Sequence, residues 1–575
     1  MEAVLEIPQR PTRHFLPQDF KVTDWATLEP YYTDLEQREI NSTENMMQWL
    51  KDSSELSSVI GEDMRWRYVK TSIDTTDTVA QENLEFFYKE INPHLAMVSN
   101  RLNQKLNDSP FKKDLIENED YHNFIKGLEM DLELFCEENI PIQQKLNIKT
   151  EEYSQITGQW TIEHEGENLT FQQAGALMKK TDRALRESVF RKMTDRRIKD
   201  VEALDTLFNE LKEMRNQVAI NAGYENYRDY MFDSKHRFDY TPQDCMDFQN
   251  SVAECVVPVL DGIAKQRQEE MGLDTLRPWD MAVDAKGRTP LNPFATTEEF
   301  VDKSVDCLSD VDTYFGERIA IMNEMNYLDL ESRGGKAPGG YNMGLPEIGV
   351  PFIFMNHAKS EGDVRVMVHE AGHAVHTFLA HPLQFDFLKD FPMEVAELAS
   401  MSMELFTLEN WETFYPNEDD LKRAKKNHLV GLLGTLPGVG RGDEFQHWMY
   451  LNPNHTTEER HEKWMELDKK YSSQVVDYSE FEESSKSAYQ RILHFYQVPF
   501  YYIEYGFAQL GAIAMWRNYK QNPDKTIAQY KTALKMGYTR SIPEIYEAAG
   551  IKFDFSKEYV SELVAFVKEE IEKLG

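Results

Sequence analysis

The stretch VRVMVHEAGHAVHTFLAH, residues 364–381, constrains this chain more than any other, because its His-Glu-x-x-His pattern works only on a helix. At about 100° per residue, His369 and His373 stand one turn apart on a single face, so their imidazoles can share a metal ion. Glu370 follows the first histidine, which puts its carboxylate beside such an ion, where it can take a proton from water. The helix itself is written in Val364, Met367, Val368, Ala371, Val375 and Phe378, an apolar stripe at helical spacing. Glu361 and Asp363 lie at the end where the helix dipole favours acids, and Pro382 closes the run. His376 and His381 make histidine locally abundant, so a histidine-rich packing helix is the competing reading.

A hydrolytic zinc site needs a third protein ligand and leaves its fourth position to water. In FPMEVAELASMSMELFTLENW, Glu397, Ser400 and Glu404 fall at i, i+3 and i+7 along one helix face, and Glu394, one turn before Glu397, competes for the ligand role. The third histidine of a metzincin would fall where Leu379 stands, so the expected donor set is two histidines and one carboxylate.

The rest of the chain reads as long amphipathic helices. Leu204, Leu207, Phe208, Leu211 and Val218 recur at three- and four-residue steps with charges between them, the pattern of a layered, mainly α protein. At 575 residues the chain is long enough for two lobes. Between Trp160 and Lys180, residues alternate about a Gly166 turn, and Thr170 with Gln173 forms a capping box that starts the next helix. This hairpin marks the expected end of an N-terminal helical lobe, residues 1–190, with the metal-bearing region over 191–575. A second strand signal, GGKAPGGYNMGLPEIGVPFIFMN, precedes the metal helix. Its glycines fit neither a Walker loop nor a dinucleotide fingerprint. The segment around Gly339, Gly340 and Tyr341 instead suggests a strand edge that pairs with an extended peptide backbone, against the plainer reading of hairpin turns.

Composition excludes several partners. The net charge is −36, and Lys and Arg are scattered rather than striped, which argues against nucleic acid and anionic membranes. The start, MEAVLEIPQRPTRHF, lacks a basic and then apolar leader, and the most apolar run, GFAQLGAIAMW at 506–516, is too short for a membrane span, so a cytoplasmic location is expected. Cys136, Cys245, Cys255 and Cys307 show no Cys-x-x-Cys spacing and are expected reduced and mostly buried.

HEAGHAVH, AELASMSMEL and HFYQVPFYYIEYGFAQLGA (494–512), with GKAPGGY ahead of the metal helix, resemble the oligoendopeptidase F and Pz-peptidase branch of the thimet oligopeptidase family of zinc peptidases. The resemblance covers about residues 190–570. It implies two helical lobes around a deep substrate channel, with a small sheet beside the zinc helix, and one Zn2+ per chain on His369, His373 and Glu397, so that Glu397 is preferred over Glu394. It also implies an oxyanion-binding group in His494, Tyr501, Tyr502 and Tyr505, with Tyr505 first, Tyr502 and His494 in support and Tyr501 against substrate. The spacing alone also allows these tyrosines to be core aromatics. The expected activity is zinc-dependent hydrolysis of internal bonds in short, unstructured peptides, with Glu370 as general base. A zinc carboxypeptidase on a related scaffold, which would need a basic residue to hold a free carboxylate, and a catalytically silent peptide-binding protein are the alternatives.

Overall fold

The computed structural model describes residues 5–575; Met1 to Val4, which open the segment considered above for a leader, lie outside the described residues. Helices carry the architecture. The smaller lobe is built on the helix Thr43–Ile73, whose Met46, Trp49, Leu50, Leu56, Val59 and Ile60 join Leu102, Leu106, Ile125 and Leu128 in one apolar cluster. The larger cluster gathers the helices from Leu204 onward and also takes Leu146 and Tyr153 from the helix Ile140–Thr157, so the smaller lobe's packing ends before that helix.

Strands are few and short. β1 (Thr161–His164) and β2 (Glu167–Thr170) pair antiparallel about Gly166, whose φ of 87° suits the turn, and the Thr170–Gln173 capping box then opens a helix, as the sequence pattern requires. β3 (Leu328–Glu331), β4 (Tyr341–Met343) and β5 (Phe352–His357) form a sheet in the order β3-β5-β4, with β3 parallel and β4 antiparallel to β5. β5 is almost wholly buried, which explains its unbroken apolar run. β4 is an edge strand. The glycine-rich segment before it is closed onto the sheet by the buried Lys336, whose ammonium donates to Asp329 Oδ1 (2.9 Å) and to the carbonyls of Asp329 (3.0 Å), Glu331 (2.9 Å) and Met355.

The two lobes meet on two sides. On the sheet side, Thr75 N–H donates to Gly335 O at 2.6 Å, Ala337 N–H donates to Ser72 O at 2.9 Å, and Glu62 accepts from the N–H groups of Glu347 and Ile348 at 3.0 Å each. On the other side, Phe385 and Leu388 insert into the small lobe's cluster, and Phe387 stacks on Phe124. A cavity of about 680 Å³ lies between, lined by Trp49, Leu102 and Arg65 from the small lobe and by Gly340–Leu345, His369, Glu370, His373 and Glu397 from the large one.

Three helices form the cavity floor. Met393–Thr407 is buried on every face, because Glu361–Ala380 packs on one side and Tyr502–Gln521 on another. Close approach depends on glycines in the flanking helices. A Cβ on Gly372 would lie 2.5 Å from Ser400 Cα and 2.7 Å from Ala399 O, and one on Gly511 would lie 2.8 Å from Leu398 Cδ1. Gly372→Ala must therefore push two helices apart, at a cost of about 1–3 kcal/mol. It should lower the melting temperature, whereas Gly434→Ala, whose added methyl meets nothing within 4 Å, should leave it unchanged or raise it; calorimetry of the two variants checks the contrast.

Candidate active site

The helix Glu361–Ala380 starts at Ser360, whose N–H donates to Asp363 Oδ2 at 2.7 Å in a capping box. It presents His369 and His373 one turn apart, their ring centroids 4.9 Å from each other and nearly perpendicular. The buried helix Met393–Thr407 brings Glu397 to them: Oε2 lies 3.4 Å from His369 Nε2 and 3.7 Å from His373 Nε2. Tetrahedral ligands about 2.1 Å from a zinc ion are about 3.4 Å apart, so this donor set fits zinc in both chemistry and spacing. Glu394 turns elsewhere, accepting a hydrogen bond from the buried Tyr240 hydroxyl at 2.5 Å. His376, with no hydrogen-bond partner among the described residues, stacks on Phe391, and burial drives its pKa down to about 3, which makes it a neutral core histidine.

Supporting groups fix the donors. His369 Nδ1 lies 2.7 Å from Glu404 Oε1, which leaves Nε2 directed at the cluster. Spacing had placed Glu404 on the right helix face but not against His369, since the contact joins two helices. Burial alone would lower the His369 pKa, yet the Glu404 hydrogen bond and the charges of Glu404, Glu397 and Glu370 raise it to about 9. His373 is held well below the usual imidazole range by burial and by the His369 charge. Glu397 accepts from the Tyr501 hydroxyl (2.6 Å) and the Ser400 hydroxyl (3.2 Å), and burial raises its pKa.

Glu370 is buried, with no hydrogen-bond partner for Oε2 among the described residues. Burial, reinforced by Glu397 and Glu404 and opposed by His369, pushes its pKa up to about 7. An acid of that strength can accept and return a proton near neutrality. A Cβ on Gly340 would stand 3.2 Å from the Phe354 carbonyl and 3.9 Å from Glu370 Oε1, so the glycine eases the approach to β5 while lying beside the carboxylate. Tyr341 also lines the cavity, its ring stacked on Phe354, while Gly339 shapes the preceding turn at φ 95° and its carbonyl accepts from Asn356 at 2.8 Å. Asn342, which the motif reading passed over, donates to the Glu370 carbonyl at 3.2 Å.

The aromatic group divides. Tyr501 and Tyr505 line the cavity, and the Tyr505 hydroxyl lies 3.1 Å from His494 Nε2. Tyr502 is not among the lining residues. Its ring packs so tightly on Gly442 that a Cβ there would meet Tyr502 Cδ1 at 2.5 Å. The reason is helical geometry: Tyr502 opens the helix Tyr502–Gln521, and Tyr501 and Tyr505, four apart, share the direction of the cavity. Burial raises the phenol pKa values of Tyr501 and Tyr505 well above the usual range, so both remain hydrogen-bond donors, and burial lowers His494 to about 4, so it is neutral. Of the four cysteines, Cys245 and Cys307 are buried as expected, but Cys136 and Cys255 are partly exposed; all four are free.

A helical fold with two imidazoles and a glutamate converging beside an unpartnered carboxylate defines the His-Glu-x-x-His class of metal-site proteins. The description "Peptidase family M3" matches residues 176–565 and "Peptidase M3 N-terminal domain" matches residues 15–135. The chain belongs to peptidase family M3, whose members are in general zinc metallopeptidases. It is 25% identical over 304 residues to group B oligopeptidase PepB of Streptococcus agalactiae, covering 51% of this chain and 48% of that protein. It is 26% identical over 290 residues to an oligoendopeptidase F homolog of Borreliella burgdorferi, covering 49% of this chain and 48% of that one. The chain thus spans about half the length of these relatives. The solved structure of Pz peptidase A with inhibitor 2 superposes with a TM-score of 0.91 at 25% identity, covering 97% of this chain and 99% of that one.

The raised Glu370 pKa has a measurable consequence in the metal-free protein. The folded carboxyl keeps its proton to about pH 7, while the unfolded chain releases it near 4.5, so the fold loses stability as pH rises between these values. The loss approaches about 3 kcal/mol. Metal-free Glu370→Gln should therefore melt above the metal-free parent at pH 8, and the gap should close near pH 4.5; thermal melts in chelator across this range check it.

Proposed function

We propose that the chain is a zinc-dependent oligoendopeptidase that hydrolyses internal bonds of short, unstructured peptides. The observation that carries this reading is the meeting of His369, His373 and Glu397 with the unpartnered Glu370 oxygen in the wall of a cavity that also contains the free edge of β4. His369, His373 and Glu397 would hold one zinc ion per chain, which when bound would supply Lewis acidity toward the scissile carbonyl and toward water. Glu370 takes the proton of the attacking water and passes it to the leaving amine, a role suited to a buried carboxyl with one unpartnered oxygen among the described residues. Tyr505, backed by neutral His494, donates to the carbonyl oxygen as it becomes an oxyanion, a contribution of about 3–4 kcal/mol for donors of this kind. Tyr501 keeps Glu397 oriented, and Tyr502 supports the cluster from behind.

The substrate enters as an extended backbone along β4, whose outer N–H and C=O groups are unpaired in the sheet, with Gly340 and Tyr341 against it. A cavity of about 680 Å³ enclosed by two lobes admits a single strand and not a folded domain. A carboxypeptidase remains the second reading on one observation: Arg65 and Lys389 line the same cavity with no ion-pair partner among the described residues, and either could hold a free carboxylate. End-group analysis of cleaved peptides separates internal from terminal cutting.

The test is a set of single substitutions assayed with an internally quenched peptide and metal analysis. Glu397→Gln should lose zinc, while Glu394→Gln should keep it. Glu370→Gln should keep zinc and peptide affinity while turnover falls by at least about a hundredfold. Near-normal turnover in Glu370→Gln, or full zinc in Glu397→Gln, would overturn these assignments.

A further inference from the structure

Tyr501 and Tyr505 reach the cavity from one segment, with His494 of the same segment behind Tyr505, and its backbone is held where its residues would not settle unaided. Phe500, fully buried, has φ 63°, a left-handed conformation that bulky side chains rarely adopt. Three buried side chains from distant elements hold this segment. Gln446 Oε1 accepts from Phe500 N–H at 2.7 Å. The Arg237 guanidinium donates to the Phe500 carbonyl and, at 2.8 Å, to Glu504 Oε1. Arg215 donates to Phe495 O at 2.8 Å, to Tyr496 O, and to the Tyr450 hydroxyl at 3.0 Å.

These arginines are unusual in what they bind. Arg215, 2% exposed, has no carboxylate partner among the described residues, so its buried charge is met by carbonyls and a phenol alone. A buried cation is expensive, and apolar residues of similar volume commonly replace one without loss of stability. What an apolar residue cannot do is fix two carbonyls or bridge a carbonyl and a carboxylate. Arg237 makes such a bridge through one nitrogen: Nη2 donates to both Phe500 O and Glu504 Oε1, which lie on either side of Tyr501 and Tyr502 in the chain, so a single donor group ties together the two ends of the backbone turn from which Tyr501 reaches Glu397 and Tyr505 reaches His494.

We propose that Arg237, with Arg215 and Gln446, is a positioning residue for the cavity tyrosines, Tyr505 at the oxyanion and Tyr501 on Glu397, acting through the strained turn at Phe500. The assignment rests on the peptidase reading of the site. Lysine in place of Arg237 keeps the charge beside Glu504, but its ammonium sits one bond short of the position of Nη2 and cannot hold both acceptors where they stand, so the turn is free to relax and the phenols move. A group that acts on the oxyanion affects turnover more than substrate binding.

The test is Arg237→Lys, with Gln446→Leu as an independent variant that leaves the buried charges in place. In each, kcat should fall by roughly tenfold to a hundredfold with KM within about threefold and zinc content unchanged. Because the effect runs through the phenols, Arg237→Lys should cost little further once Tyr501→Phe and Tyr505→Phe are present, whereas a general packing defect would multiply with them. A readout without turnover is the NMR signal of tyrosine labelled at Cζ: the Tyr501 and Tyr505 resonances should shift in both variants. Unshifted resonances, unchanged kcat in both variants, or a fully multiplicative loss in the tyrosine-free background would each overturn the assignment. A parent chain that binds zinc yet cuts no peptide would instead overturn the peptidase reading, and the tyrosine resonances would still decide whether Arg237 sets the turn.

Discussion

A helix with no exposed face carries three carboxylates, and the architecture of the site follows from finding each a partner. Glu394, Glu397 and Glu404 are all buried on Met393–Thr407, where an unpaired carboxylate would be prohibitive. Tyr240 answers the first, Tyr501, Ser400 and the two imidazoles the second, and His369 Nδ1 the third. Glu404 and Glu397 meet opposite nitrogens of the same ring. The tautomer and the aim of His369 are therefore fixed by the helix that also supplies the carboxylate donor, and the glycine contact at Gly372 sets how near the two helices come.

The same economy governs the aromatic segment. Tyr501 and Tyr505 share a direction only because the helix begins at Tyr502, after a turn that a phenylalanine resists. The local strain is met by hydrogen bonds from residues hundreds of positions away in the chain, such as Arg237 to Phe500. Local preference and global fold disagree here, which is where a functional constraint is expected to lie.

How much of this was legible in the sequence depended on whether the deciding contact was local. The apolar stripe from Val364 to Phe378, the one-turn spacing of His369 and His373, and the Thr170–Gln173 cap are all settled within a few residues, and each stands in the structure as its spacing requires. The choice between Glu397 and Glu394 was not legible from spacing, because the two are one turn apart on one buried helix. What separates them spatially is Tyr240, brought in from another part of the chain. Tyr502 was misleading for a related reason: an i, i+3 count pairs it with Tyr505, but Gly442 from a distant helix opens the space that takes its ring. Nothing in the sequence around Phe500 signals a left-handed residue, since the usual signal is glycine or asparagine.

The edge position of β4 explains how such a site could select by conformation rather than by side chain. A peptide laid along β4 would exchange backbone hydrogen bonds with a strand that, among the described residues, pairs only with β5, and those bonds are available from any sequence. A folded protein has already spent the same groups on its own helices and sheets and would have to unfold locally to offer them. The two-sided attachment of the small lobe, through Thr75 and Gly335 on one flank and Phe124 and Phe387 on the other, adds a steric limit to this chemical one. Under the proposed peptidase reading, chain exposure would be demanded twice, first to enter between the lobes and again to complete the sheet, before any side-chain pocket contributed to choice.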